Sequence, residues 1–347
     1  MQINIQSKAG ECEFTCGEDE TLLHAGLRQG LSLPYECATG TCGSCRARLM
    51  DGNVALVWND APALAKLKRE KGDILLCQAR PRSDCTVRVP ANVLSAAEGS
   101  HLPEHRKGTI ANVQRLTRDV IHFDVHLSSP ITFKAGQFVI VESKDVPGRR
   151  AYSIVNYQPD AETIALVIKR KPGGGFGNWL FDTNVEGQEL DVFGPLGGAT
   201  FHAEENKDII CIAGGSGIAG MMSILECATS QDYFRNHKGY VFFGVRSAAD
   251  AFYVNELARF VEASNGGLEV TIAFSDEDAS FVQNGTFRGV NLVGGFVHEV
   301  AEKAMEDRYS DMISYIAGPA PMVDGAIRML VTRGGQTPDR IRFDKFS

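Results

Sequence analysis

The stretch Cys37-Ala38-Thr39-Gly40-Thr41-Cys42-Gly43-Ser44-Cys45, completed far downstream by Cys77, decides how this chain is read. Its spacing is C-x4-C-x2-C-x31-C, the plant-type arrangement for a [2Fe–2S] cluster. Two ferric ions bridged by sulfide are soft, electron-poor centres, and they need four thiolates. Three ligands on one loop fix most of the cage, and a distant fourth closes it. Gly40 and Gly43 have no Cβ, so the loop can fold tightly and bring backbone N–H groups near the sulfurs, where hydrogen bonds tune the potential. A structural zinc site also takes four cysteines, but zinc ribbons and fingers use two paired C-x2-4-C knuckles, and only one such pair is present. The spacing therefore assigns Cys37, Cys42, Cys45 and Cys77 as metal ligands.

Outward from that loop, the chain has 347 residues, of which 44% are hydrophobic and 22% charged, with nine Cys and a net charge of −8. At roughly 100–200 residues per domain, two or three domains are expected. The apolar and charged fractions are those of globular proteins, which excludes disordered, collagenous and coiled-coil readings. No apolar run of about 18 residues exists, and Met1–Gly10 lacks the apolar core of a signal peptide. The chain is thus expected in the cytoplasm without membrane insertion. Its acidic balance argues against a nucleic-acid partner. In a reducing compartment, clustered cysteines bind metal or do redox chemistry more readily than they form disulfides. Cys12, Cys16, Cys85, Cys211 and Cys227 are scattered and read as bystanders, Cys12 and Cys16 as small buried hydrophobes.

Three segments follow from composition: residues 1–94, 107–204 and 205–347, with 95–106 as a linker inside the small, polar, Pro-bearing run Ser95–Lys107. The first segment opens with alternating stretches Gln2–Gln6 and Glu11–Cys16, a β-hairpin, and a short helix over Thr21–Gln29. The second holds strand-like stretches at Thr109–Leu116, Val120–Leu127, Gln137–Glu142, Thr163–Arg170 and Glu189–Phe193, punctuated by Gly and Pro, which predicts a small antiparallel barrel. The third alternates short apolar strands with helices from Ile209 to Phe274, a βαβ pattern with a parallel sheet.

Two further stretches can hold ligands. Arg149–Ile154 offers an Arg, an aromatic and a hydroxyl on one short strand: a phosphate partner, a stacking face and a hydrogen bond. Downstream, Ile168, Lys169 and Arg170 end a strand, and Gly173-Gly174-Gly175-Phe176 leads into a helical stretch, Gly177–Asp182, whose free N–H groups suit a pyrophosphate. Taken alone each signal is weak, because an Arg-x-Tyr-Ser run occurs by chance and a Gly-rich turn between strand and helix is usually just a turn. In the third segment, Gly215, Gly217 and Gly220 formally satisfy G-x-G-x-x-G after the strand Ile209–Ala213. The acidic residue that a dinucleotide fold places about 20 positions later is replaced by Val245-Arg246. A phosphate-holding loop and a close strand–helix crossing that needs glycine both remain open. The loop Ala317–Met322 follows an apolar strand, where ligands of parallel sheets bind. Phe346 can be core packing or a lid on a flat cofactor.

Together these motifs resemble the NADH-dependent reductase components of bacterial multicomponent oxygenases, such as the toluene and xylene monooxygenase reductases, over essentially the whole length. The resemblance implies a β-grasp plant-type ferredoxin, an antiparallel β-barrel flavin domain and an α/β parallel-sheet nucleotide domain, the last two ferredoxin-NADP reductase-like. It implies FAD contacted by Arg150, Tyr152 and Ser153, with Ile168, Lys169, Gly174, Gly175 and Phe176 along its phosphate side. NADH would lie on Gly215, Ser216 and Gly217, near Arg246, Gly318, Pro319 and Met322, with Phe346 covering the flavin until nicotinamide displaces it. Asp250-Ala251-Phe252-Tyr253 is similar to the D-L-Y run of NADH-preferring members. The implied partner is an oxygenase or hydroxylase component or its small ferredoxin, and the implied state is a monomer. Three positions depart from the family pattern: Gly177 for Ser or Thr, Gly220 for Pro, and Ala317 for the Cys before Gly-Pro. Hydride transfer needs no general acid or base, so His24, His101 and His202 read as ordinary core or surface residues. The alternatives are a self-contained NADH-dependent reductase of a small molecule or quinone, and a zinc-stabilised nucleotide-binding regulator.

Overall fold

The alternating stretches of the first segment fold as β1 (Gln2–Ser7) and β2 (Gly10–Thr15), an antiparallel hairpin that turns its Ile3, Ile5 and Phe14 side chains into the core. Thr21 caps α1 (Leu22–Arg28) by accepting from the His24 N–H at 3.4 Å, which satisfies one of the helix's free donors. Strands β3 (Arg46–Asp51), β4 (Val54–Leu56), β5 (Asp73–Leu75), β6 (Ala79–Pro81) and β7 (Cys85–Arg88) follow. The main sheet runs β2-β1-β7-β3-β5, with β1 and β7 parallel, and α1 packs across it as in a β-grasp. The coordinates are a computed structural model, which describes residues 1–97, 99–276, 286–306 and 308–346.

The second segment is built from β8 (Glu104–Arg115), β9 (Val120–Ile131), β10 (Phe138–Ser143), β11 (Arg150–Ser153), β12 (Ala161–Lys169), α2 (Gly175–Asp182) and β13 (Glu189–Leu196). Its antiparallel order is β11-β10-β13-β8-β9-β12, and a bridge between Ile154 and Leu166 joins the two ends into a barrel. Strand β8 begins at Glu104, inside the stretch read from sequence as linker. Glu104, His105 and Arg106 show no apolar alternation, yet they pair with Gly194, Phe193 and Val192 of β13. Pairing across the barrel, which no local pattern encodes, extends the strand.

The third segment comprises β14 (Ile209–Gly214), α3 (Ile218–Ser230), β15 (Gly239–Val245), α4 (Val254–Ala263), β16 (Leu268–Phe274), β17 (Thr286–Phe287), β18 (Val290–Gly294), α5 (Val297–Met305), β19 (Ile313–Pro319), α6 (Ala320–Thr332) and β20 (Ile341–Phe346). The sheet order is β17-β18-β16-β15-β14-β19-β20, parallel except for β17. Order reverses between β14 and β19, and the strand ends at such a switch point are where open α/β sheets take their ligands.

Cores run across the segment boundaries. Phe138, Ile140, Phe193 and Leu196 of the barrel share a cluster with the first segment, and Val120, Val155 and Phe201 share one with the third. Polar contacts reinforce both seams: the Tyr35 hydroxyl accepts from the Gly197 N–H at 3.0 Å, and the Ser223 hydroxyl of α3 accepts from the Gly136 N–H at 2.9 Å. Among the described residues, no helix is long and apolar enough to cross a membrane.

Candidate functional site

The four cysteines meet as two pairs. Cys45 Sγ lies 3.2 Å from Cys77 Sγ, both buried, while the half-buried Cys42 and Cys37 hydrogen-bond to each other. Backbone N–H groups of Thr39 and Cys42 each donate to Cys37 Sγ at 3.4 Å, and that of Ser44 donates to Cys42 Sγ at 3.4 Å. The hydrogen bond from Cys42, working against burial and aided by Thr41 and the N–H donors, brings the Cys37 thiol down to about 3. Cys45 is lowered in the same way by Cys77. Gly40 has φ +93°, and a Cβ there would come within 2.9 Å of Gln78 Nε2 and 3.0 Å of Ala61, so both conformation and space demand glycine. Among the described residues no three Cys, His, Asp or Glu side chains gather about a single point. In each pair one thiol is lowered and its partner, Cys42 or Cys77, is raised by the shared hydrogen bond and by burial; two close thiol pairs, the first ringed by backbone N–H donors, fit a binuclear cluster held two ligands to each iron.

Strand β11 carries the flavin candidates beside α2. The Arg150 guanidinium donates to the Gly148 and Pro147 carbonyls at 2.6 and 2.8 Å and lies 5.1 Å over the Phe176 ring. The Tyr152 and Phe176 rings stack 6.0 Å apart at 25°, and burial pushes the Tyr152 hydroxyl well above its usual range, so it stays protonated. Gly174 precedes α2 without a side-chain cap, which leaves the first-turn N–H groups of Gly175, Phe176 and Gly177 free for an anion. The structure thus brings Arg150, Tyr152, Gly174, Gly175 and Phe176 together. Three other residues implied by the resemblance have neighbours of their own. Ile168 is buried in the barrel core, Lys169 pairs with Asp119 at 3.3 Å, and Ser153 lies against Gly220 of α3. At Gly177 a side chain would meet nothing nearer than Arg170 Cα at 3.4 Å, so packing does not force that departure.

The glycine loop after β14 divides its work. Gly215 has φ +53° and open space around it, as a ligand-facing turn requires. Gly217, in contrast, lies so close to β19 that a Cβ would overlap the Ala317 carbonyl. The close crossing therefore accounts for Gly217, while Gly215 leaves open the space that a phosphate-holding loop uses. Met322 reaches between the two strand ends, its Cε 3.0 Å from a Cβ built on Gly214 and 2.6 Å from one built on Gly318. Ala317 is buried at the carboxyl end of β19, opposite Ala213. Arg246 pairs with Asp119 at 3.6 Å and Asp250 at 3.8 Å, joining the nucleotide sheet to the barrel. Nearby, Tyr253 Oη lies 2.8 Å from His122 Nδ1 of β9. The backbone of Phe346 pairs with Pro319 at the end of β19, but its side chain, read as a flavin cover, lies outside the described residues.

Sequence reasoning passed over the seam between the first segment and the barrel. The His24 ring stacks on Phe193 at 4.0 Å and 14°, with His105 4.5 Å from the same Phe193 ring. His24 is 1% exposed, and among the described residues neither ring nitrogen has a hydrogen-bond partner. Its place in the apolar run Leu22–Leu27 was the available signal. Burial, followed by the positive charges of Arg149 and His105, holds its pKa well below the usual value. Burial and then the Glu36 carboxylate raise Asp344 of β20 to about 7.

Comparison with known proteins agrees with this geometry. Residues 3–82 match the 2Fe-2S iron-sulfur cluster binding domain family, 107–201 the oxidoreductase FAD-binding domain and 211–328 the oxidoreductase NAD-binding domain. The ferredoxin–NAD(+) reductase component of an alkene monooxygenase system from Xanthobacter autotrophicus is 38% identical, over 96% of this chain and 97% of its own. A ferredoxin–NAD(P)(+) reductase, CarAd, from Metapseudomonas resinovorans is 33% identical over 97% and 98%. Among solved structures, the ferredoxin reductase in carbazole 1,9a-dioxygenase superposes with a TM-score of 0.84 at 31% identity, covering 100% of this chain and 99% of that one. With [2Fe–2S], FAD and NAD domains in this order, the chain belongs to the family of ferredoxin–NAD(P)+ reductase components of multicomponent oxygenase systems.

Proposed function

We propose that this chain takes electrons from NADH and delivers them, through FAD and its [2Fe–2S] cluster, to a separate oxygenase or hydroxylase component. The observation that carries the reading is the two-pair thiol site on a loop packed against the flavin barrel, in one chain with a nucleotide sheet. When bound, FAD supplies the conversion of a two-electron hydride donor into single electrons that a [2Fe–2S] cluster can take. The rest is positioning. Arg150 is fixed by two carbonyls so that its remaining N–H groups can meet a phosphate, and the α2 N-terminus offers further donors. Tyr152, kept as a neutral phenol, supplies a flat face and a hydroxyl donor. Gly215 and Ser216 present backbone N–H groups to the pyrophosphate of NADH, while Gly217 lets the loop rest on β19. Gly318, Pro319 and Met322 border the nicotinamide end, with Phe346 beside them. Arg246 is committed to Asp119 and Asp250, and Asp250 also holds the Ser247 hydroxyl at 2.8 Å. That acidic setting suits a free ribose hydroxyl better than a 2′-phosphate, which supports NADH. We propose that the chain acts as a monomer.

Cys42→Ser separates the steps. NADH should still reduce the flavin at the wild-type rate, while electron delivery to an acceptor protein falls by orders of magnitude. Loss of flavin reduction in a folded Cys42→Ser protein would refute the order NADH, FAD, cluster.

A further inference from the structure

Next to the cluster loop lies a surface whose charge opposes that of the whole protein. Residues 46–71 carry six Lys and Arg against three Asp and Glu, a net +3 in a chain of −8. This stretch is built onto the cluster loop. The Arg46 N–H donates to the Gly43 carbonyl at 3.1 Å, the Ala63 N–H donates to the Gly40 carbonyl at 3.1 Å, and Ala61 packs against Gly40. Lys66, Lys68, Arg69 and Lys71, on the two short turns that follow, are all exposed, and among the described residues their side chains enter no ion pair. The one buried acid nearby, Asp73, is already occupied by Arg46 at 2.6 Å and Arg48 at 2.9 Å. Trp58, 42% exposed, stands at the start of the same loop, where its carbonyl accepts from the Ala61 N–H.

We propose that this Lys/Arg surface, with Trp58 at its edge, is the docking face for the electron-accepting protein, and that the acceptor presents a carboxylate-rich face around its own redox centre. The proposal rests on the reading of the chain as a reductase that passes electrons outward from its cluster. Two features carry it. Cations left without partners beside a redox centre raise the local concentration of an acidic partner and orient it, whereas ions already paired do not. An exposed aromatic at the edge of such a patch supplies the apolar anchor that charge alone lacks. The half-exposed Thr41–Ser44 stretch, which carries Cys42, is the edge of the cluster loop that this patch borders.

The test uses two protein acceptors that differ in surface charge: native cytochrome c, rich in lysine, and succinylated cytochrome c, whose lysines are turned into carboxylates. The overall step balances as NADH plus two ferric haems giving NAD+, one proton and two ferrous haems, each haem taking one electron from the cluster. At about 20 mM salt, where charges are felt over roughly 20 Å, the holoenzyme should reduce the succinylated form at least ~10-fold faster than the native form. The preference should collapse at about 0.5 M salt. Lys68→Glu/Lys71→Glu should lower the succinylated rate about tenfold at low salt, whereas Lys303→Glu/Arg328→Glu, on the nucleotide domain, should leave it unchanged. Should the first variant lose its cluster, as judged by visible circular dichroism, Lys68→Gln/Lys71→Gln serves in its place with a smaller drop. A faster native cytochrome c, a salt-independent rate, or equal effects of the two double variants would overturn the proposal. So would a low-salt dimer that the Lys68/Lys71 variant abolishes, since a second copy would then own the patch. Stopped-flow flavin reduction and the cluster's paramagnetic signal, followed in the same samples, report the underlying electron path independently of docking.

Discussion

His24→Phe should strengthen the seam between the ferredoxin domain and the flavin barrel, and should do so most in acid. Wild-type His24 is 1% exposed, its two ring nitrogens have no hydrogen-bond partner among the described residues, and it stacks 4.0 Å from Phe193. An unsatisfied buried polar group costs about 1–3 kcal/mol, and phenylalanine removes that cost while keeping the stacking. A cavity of about 20 Å³ beside the ring, bordered by His105, Ile140 and Arg149, gives the larger ring room. A net gain of about 1–2 kcal/mol at pH 8 is expected once some overpacking is allowed for. The pH dependence follows from the depressed pKa of His24. An exposed ring binds a proton below about 6.5, and the buried one does not, because burial and the charges of Arg149, His105 and Arg80 outweigh Glu20. The seam therefore loses about 1.4 kcal/mol per pH unit as pH falls below 6.5, until the buried pKa is reached. Glu20 does not obscure this window. Burial would raise it, but hydrogen bonds from His105 and Arg28 hold it near 2. At pH 5.5 the advantage of His24→Phe should be about 1.4 kcal/mol larger than at pH 8. Thermal loss of the cluster's visible circular dichroism at both pH values reads this directly. Identical pH dependence in the two proteins, or a lower midpoint for the variant at pH 8, would refute the reasoning.

Gly217→Ala should abolish NADH binding or destabilise the nucleotide domain by about 3 kcal/mol, since its Cβ meets the Ala317 backbone, which cannot give way. Titration of the folded protein with NAD+ measures it. Gly220→Ala, only three residues on, should instead stabilise by up to about 1 kcal/mol. It lies in α3, and its Cβ would make ordinary contact with Ser153 at 3.6 Å, so the outcome shows in the melting midpoint. Arg150→Ala removes a guanidinium held by two carbonyls over Phe176, and FAD affinity should fall at least ~10-fold, read by the apo fraction after gel filtration.

What could be read from sequence was what is encoded locally. The cysteine spacing is a property of one loop and one distant residue, and the hairpin Gln2–Thr15 declares itself by alternation. The parallel sheet follows from apolar strands alternating with helices. What could not be read depends on chain segments meeting in space. Lys169, which the resemblance sets on the flavin's phosphate side, meets Asp119 of the neighbouring turn, a pairing that no local pattern announces. Ser153, which the resemblance assigns to the flavin, also lies against α3, a neighbour that sequence does not show. The loop glycines share one motif, and only the approach of β19 distinguishes Gly217, which is packed, from Gly215, which is open. The strand start at Glu104 has no apolar pattern because β13 supplies its partner. His24 reads from sequence as an ordinary core or surface residue; that it stacks on Phe193 is invisible there because Phe193 belongs to another domain.

The most direct test of the electron path is an anaerobic titration of the intact protein with NADH, followed by visible absorbance and low-temperature electron paramagnetic resonance. Flavin bleaching should be accompanied by the signal of a reduced [2Fe–2S] cluster, and Cys42→Ser should keep the bleaching and lose the signal. Bleaching with no iron–sulfur signal in the wild type, or zinc in place of iron on metal analysis, would contradict a path from NADH through FAD to the four-cysteine site.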